Sequence, residues 1–286
     1  MIDAVTLARL IGAAETAGDA GVAIIDCRFD LAAPAAGAQA YLSGHIPGAR
    51  YADLNRDLSA PIAPGTGRHP LPAPAGFAAW VGARGVGNAT QVVAYDAGSG
   101  AFAARLWWIL RWLGHCAVAV LDGGYAAWLS AGGAVRAHEE IAAAGRIFTP
   151  RPDPATAVTG AQVQEMLHDP RRLLIDARAP ERYAGIIEPL DSVAGHVPGA
   201  RNYPFGLNLD AHGRFLPSAE LRRRWLAVLG RTAPADAVAM CGSGVTACHN
   251  LLALEAAGLT GAKLYAGSWS EWIADPGRPV ATGDLP

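Results

Sequence analysis

Hydrophobic positions fall into short runs, rich in β-branched residues, that alternate with longer amphipathic stretches. "GVAIID", "QVVAYD" and "AVAVLD" occupy the first half; "RLLIDA", "AVAM" and "AKLYA" occupy the second. Runs of this length predict buried strands, and segments such as "AARLWWILRWLG" and "ACHNLLALEAAG" predict helices between them. Strands alternating with helices predict an α/β fold, a mostly parallel sheet covered by helices on both faces. The most apolar stretch, "ARLWWILRWLG", is interrupted by Arg105 and Arg111 and is too short to span a bilayer, so it is expected to be a core helix.

The pattern is written twice. "AIIDCR" answers "LLIDAR", so that Asp26 maps to Asp176. "GHIPGAR" answers "GHVPGAR", "VVAYDAGSGAFAAR" answers "AVAMCGSGVTAC", and "LDGGYAAW" answers "YAGSWSEW". Four matches in one order indicate a tandem duplication. The expected division is a first domain over 1–136, a proline-bearing linker over 137–157 and a second domain over 158–286.

Duplication supplies an internal control: a residue in both copies serves the fold, whereas one in a single copy is a candidate for chemistry. His45 and His196 share the same Gly-His-x-Pro-Gly-Ala-Arg turn, and their imidazoles are expected to satisfy loop carbonyls. Cys241 has no such twin, because Asp96 stands at the equivalent strand end.

Composition narrows the classes of partner. The 286-residue chain is 51% hydrophobic with a formal net charge of -2, has a single lysine (Lys263), and scatters its arginines, which argues against a nucleic-acid partner. The N-terminal stretch "MIDAVTLARLIGAAE" lacks signal-peptide character, and four cysteines without a CxxC pair suggest free thiols in a reducing compartment, so a cytoplasmic, non-membrane protein is expected. Cys27, Cys116 and Cys248 are expected to be small buried hydrophobes. No Cys/His spacing matches a metal site, and neither metal nor organic cofactor is expected.

Cys241 follows the run "AVAM" and precedes a helical segment, which puts it at the carboxyl end of a strand, where α/β sheets collect their chemistry. Gly242 and Gly244 permit a tight loop whose amides converge on an anionic sulfur. A cysteine phosphatase would need an arginine six residues on, where Ala247 stands. Dinucleotide binding at Gly98-Ser-Gly100-Ala-Phe-Ala103, with Asp122 after the next strand, is a rival from another class, as is a binding module without catalysis.

"DAR", "GHVPGAR", "CGSGVTAC" and "YAGSWSEW" in the second half, with aspartate replacing the cysteine in the first, resemble the two-domain rhodanese-like sulfurtransferase family over nearly the whole chain. The resemblance implies two rhodanese-like domains and a Cys241 persulfide. That persulfide is held by the loop Gly242, Ser243, Gly244, Val245 and Thr246, and is loaded by a small anionic sulfur donor. Sulfur would then pass to cyanide or a thiol, thioredoxin being one candidate. Members favouring thiosulfate carry basic residues directly after the cysteine; Cys-Gly-Ser-Gly-Val-Thr instead resembles the 3-mercaptopyruvate sulfurtransferase loop. The resemblance further implies that Arg182 binds the donor carboxylate. A second arginine is expected where Asp191 stands, and an acid there is expected to repel the donor. His69 in "GRHPLP" matches a first-domain histidine of the family, with Asn55 where an acid would accompany it; an exposed loop position is the other reading of His69.

Overall fold

The computed structural model describes residues 1–17, 21–140 and 144–285. The chain forms two compact units. One comprises Met1–Ala60, Leu71–Asp153 and Ala211–Arg214; the other comprises Pro61–Pro70, Pro154–Asp210 and Phe215–Pro286. A ten-residue segment that precedes most of the first repeat's helices in sequence therefore packs with the second unit. Of the linker expected over 137–157, residues 141–143 lie outside the described ones.

In the first unit, β1 (Val22–Asp26), β2 (Arg50–Tyr51), β3 (Gln91–Tyr95) and β4 (Val118–Val120) form a parallel sheet in the order β2-β1-β3-β4. Its helices are α1 (Ala4–Ala17), α2 (Ala36–Ser43), α3 (Pro74–Gly82), α4 (Ala103–Trp112) and α5 (Gly124–Ser130). In the second unit, β5 (Ala157–Val158), β6 (Leu173–Asp176), β7 (Arg201–Asn202), β8 (Ala237–Met240) and β9 (Lys263–Tyr265) run parallel in the order β5-β9-β8-β6-β7. Here α6 (Gly160–Met166), α7 (Pro180–Tyr183), α8 (Ser218–Leu229), α9 (Thr246–Ala256) and α10 (Ser268–Trp272) complete the unit. The two orders are the same once β5 is set aside. Even β5 has a trace in the first unit, where Ile2 bridges Leu121 beside β4. Among the described residues no helix is long and apolar enough to cross a membrane.

Residues shared by the repeats do structural work. Arg28 forks onto the fully buried Asp26 and donates to Gly44 O at 2.7 Å; Arg178 does the same to Asp176 and to Gly195 O at 2.8 Å. Each arginine thus ties a strand end to the following Gly-His turn. Truncating either partner would strand a buried charge, at a cost of about 3–5 kcal/mol. His45 stacks on Tyr41 and places Nδ1 2.8 Å from Tyr41 O, while His196 stacks on Tyr183 with Nδ1 2.9 Å from Tyr183 O. Both imidazoles are fully buried, and the carbonyls they bind lie in the last turns of α2 and α7 rather than in loops.

The tryptophans are packing. Trp269 and Trp272 of "SWSEW" are fully buried with Val163, Leu174, Val238 and Tyr265 in the second core. Trp107 and Trp108 of α4 are buried too. One cysteine departs from expectation. Cys27 and Cys248 are buried, but Cys116 is exposed, because it lies in the connection between α4 and β4, two residues before the ladder begins.

Candidate active site

Strand β8 lies between β9 and β6 in the middle of its sheet, and the chain leaves its carboxyl end at Cys241. Five residues later α9 begins with Thr246, which is partly buried. Within the intervening loop Gly244 adopts φ +76°, and a Cβ there would stand 2.3 Å from Ala266 O, so only glycine fits. This turn aims the Gly244 N–H at the Cys241 sulfur, 3.1 Å away. Cys241 is 2% exposed, and Ser243 and Val245 are buried as well.

The backbone of the cysteine is held by α10. Cys241 N–H donates to Ser268 Oγ at 3.0 Å, Trp269 N–H to Cys241 O at 3.0 Å, and Ser270 N–H to Gly242 O at 2.9 Å. Ser268 is fully buried at φ +55°, a left-handed conformation that costs a side chain about 1–2 kcal/mol. Its counterpart in the first unit is Gly124, also at φ +55°. The strain is retained where the hydroxyl has a donor to satisfy. Replacing Ser268 by alanine keeps the strain and orphans the Cys241 N–H, whereas glycine relieves the strain. Thermal unfolding should therefore rank wild type above Ser268→Gly and Ser268→Ala lowest, with Ala costing about 1–3 kcal/mol. An alanine variant as stable as wild type would dismiss this account.

The sister loop shows what such a backbone binds. Asp96, 2% exposed, accepts hydrogen bonds on Oδ1 from Gly98 N–H (3.0 Å) and Gly100 N–H (2.9 Å), and on Oδ2 from Phe102 N–H (2.9 Å) and Ala103 N–H (3.4 Å). A strand-to-helix loop of this type is an anion cradle, and in the first unit the anion is the protein's own carboxylate. That occupancy removes dinucleotide binding at Gly98–Ala103, since the amides a pyrophosphate would need are taken.

The sequence-predicted residues assemble around Cys241 in part. His69 is 5% exposed, not a solvent-facing loop residue, and its Nδ1 lies 2.7 Å from Ser243 Oγ. Arg182, on α7, donates to Glu188 at 2.7 Å and to Asp191 at 3.1 Å. Asn55 belongs to the first unit, where it is exposed and its N–H donates to Asp53 Oδ1. Among the described residues no cluster of three or more His, Cys, Asp or Glu side chains gathers to hold a metal ion.

Arg68 was not anticipated. Its N–H donates to Ser270 Oγ at 3.0 Å, and its guanidinium pairs with Asp191. A Cβ on Gly242 would stand 2.9 Å from Arg68 Nη2 and 3.4 Å from both terminal nitrogens of Arg182. The loop itself carries no cation, yet two guanidiniums converge on the residue after the cysteine. Asp191 therefore does not face the site as an unpaired repelling charge: it is pinned between Arg68 and Arg182. Burial nonetheless outweighs these cations and raises its carboxyl above the usual range. Cys27, the other strand-end thiol, is pushed well up by burial and by Asp26, Asp96 and Asp57, which keeps it protonated and unreactive.

Residues 7–131 and 159–275 each match the rhodanese-like domain family. A "Probable 3-mercaptopyruvate sulfurtransferase" from Pseudomonas aeruginosa is 53% identical over 91% of this chain and 92% of its own length. A thiosulfate sulfurtransferase from Bos taurus is 35% identical over 92% and 89%, respectively. Among solved structures, SseA of Escherichia coli, described under the rhodanese fold of 3-mercaptopyruvate sulfotransferases, superposes with a TM-score of 0.78 at 32% identity, covering 94% of this chain and 98% of that one. A tandem pair of parallel sheets, with a cysteine on the strand-to-helix loop of one and an aspartate in its place on the other, belongs to the rhodanese-like family, and this chain is one of its two-domain sulfurtransferases.

Proposed function

We propose that Cys241 is the nucleophile and that 3-mercaptopyruvate is the preferred sulfur donor. The observation that supports this best is the sulfur at the carboxyl end of β8, receiving the Gly244 N–H beside two arginines at Gly242. The Cys241 thiolate attacks the donor's thiol sulfur. As the S–S bond forms, the donor's C–S bond breaks, its electron pair goes to carbon, and the thiol proton follows to give pyruvate and a Cys241 persulfide anion. An acceptor thiol then takes the outer sulfur as a hydropersulfide, or cyanide takes it as thiocyanate, and the Cys241 thiolate returns. Two half-reactions through a covalent intermediate imply ping-pong kinetics.

The backbone of Gly242–Thr246 is suited to donate to the persulfide, as the sister loop's amides donate to Asp96, where they offset part of the burial that raises its carboxyl. Ser243, paired with His69, offers a hydroxyl that can hold or pass the migrating proton. Arg182 would take the donor carboxylate. Thioredoxin as acceptor and a cytoplasmic setting fit the free thiols, which need a reducing environment.

Mass spectrometry of protein treated with 3-mercaptopyruvate should find one added sulfur on the Cys241 peptide. Arg182→Ala should lower kcat/KM for this donor about ten- to a hundredfold, the worth of one charged hydrogen bond, chiefly through KM. Thiosulfate is the second reading, supported by the 35% identity to the thiosulfate sulfurtransferase from Bos taurus over 92% of this chain. A clear thiosulfate preference that survives Arg182→Ala would replace the donor assignment and leave the persulfide chemistry in place.

A further inference from the structure

Two guanidiniums reach the residue that follows the nucleophile, and two carboxylates hold them. Arg68 and Arg182 bring their terminal nitrogens to within 2.9 and 3.4 Å of a Cβ placed on Gly242. Asp191 bridges them, one carboxylate oxygen on each guanidinium, and Glu188 takes Arg182 from the other side at 2.7 Å. The side chains of Asp191 and Glu188 are 4% and 3% exposed, whereas those of Arg68 and Arg182 are 28% and 19% exposed. The carboxylates are thus the buried foundation and the guanidiniums are the accessible layer. Neither arginine can swing far, because each is tethered by a buried acid.

We infer that the Arg68–Asp191 pair determines donor specificity: Arg68 is a second cation for the donor's anionic end, and Asp191 holds Arg68 in place while keeping the cluster formally neutral. The inference rests on the donor reading above and adds to it the charge class. Two guanidiniums supply donors for a planar, bidentate acceptor such as a carboxylate. Two buried carboxylates cancel their charge, so a monoanion meets geometry without a large excess of positive field. A monoanion leaves this neutral cluster with one net negative charge and a compact dianion leaves it with two, beside a sulfur that must itself become an anion. Such a site discriminates by charge number as well as by shape. Gly242 keeps the approach clear, since any side chain there would occupy the space in front of both guanidiniums.

Three proteins, wild type, Arg68→Gln and Asp191→Asn, would be assayed in parallel with 3-mercaptopyruvate and thiosulfate. Each would also be examined for thermal unfolding and for the sulfur added to the Cys241 peptide. Arg68→Gln should raise KM for 3-mercaptopyruvate about tenfold or more with kcat changed far less. Asp191→Asn should shift the ratio of kcat/KM values toward thiosulfate by about tenfold, because one buried negative charge is gone. Parallel losses with both donors in Asp191→Asn, or unchanged KM values in Arg68→Gln at wild-type thermal stability, would overturn the inference. If Asp191→Asn fails to fold, Arg68→Gln with its KM-against-kcat split still decides the role of Arg68. A wild type that uses thiosulfate alone would sink the donor reading and the neutrality argument with it, and Arg68→Gln would then still report on the cation through KM for thiosulfate. A wild type that gains no sulfur from either donor would remove both.

Discussion

Cys241→Ser is expected to lower sulfur transfer by about 10⁴-fold or more with either donor, because a serine hydroxyl cannot carry the transferable sulfur. Stability should hardly move. The serine oxygen can accept the Gly244 N–H that now reaches sulfur at 3.1 Å, and the backbone bonds to Ser268 and Trp269 do not involve the side chain. Cys27→Ala, Cys116→Ala and Cys248→Ala should each keep turnover. Cys27 is the most informative of these controls, since it also sits at a strand end, but its thiol is held protonated by burial and by nearby carboxylates. Turnover assays combined with peptide mass spectrometry would check the set. Sulfur added to Cys27, Cys116 or Cys248, or turnover that persists in Cys241→Ser, would displace Cys241 from its assigned role.

The second large effect belongs to a residue with no part in the chemistry. Asp96→Ala should destabilise the first unit by about 3 kcal/mol or more, because it leaves four inward-pointing N–H groups, from Gly98, Gly100, Phe102 and Ala103, without the acceptor they share. Asp96→Asn should recover only part of the loss, since its NH2 group would face N–H donors where an oxygen now accepts. The measurement is chemical denaturation, with the two variants compared at unchanged m-value. An alanine variant within about 0.5 kcal/mol of wild type would mean that the loop amides find water or another partner, and that the cradle is not an anion site in either repeat.

The same two positions show how far a single sequence reaches. Cys241 and Asp96 are distinguishable on paper because the duplication aligns them, and everything around them then reads as either shared or unique. Comparison of "GYAAW" with "SWSEW" in the same manner would also have singled out Ser268 against Gly124 and Ser270 against Ala126. Those two serines are the ones that hold Cys241 N–H and the Arg68 backbone. That signal is present in the chain, in the residues where the two repeats differ.

Alternation of apolar runs and helices, the repeat with its shared Gly-His turns, and the placement of Cys241 at a strand end all follow from sequence by itself, because each depends on residues near in sequence, on direct comparison of the two copies, or on a period of two or 3.6 residues. The exposure of Cys116 turned on two residues at a strand boundary, where periodicity has least resolution. The charge cluster was decided by tertiary structure alone. Arg68 and Asp191 stand 123 positions apart, and His69 and Ser243 stand 174 apart. No local pattern records that the segment Pro61–Pro70 packs with the second unit. An acid that reads as a repelling charge in isolation thus becomes the anchor of a cation only when folding brings that cation to it, since the sign of an electrostatic contribution is set by the neighbours in space and not by the residue itself.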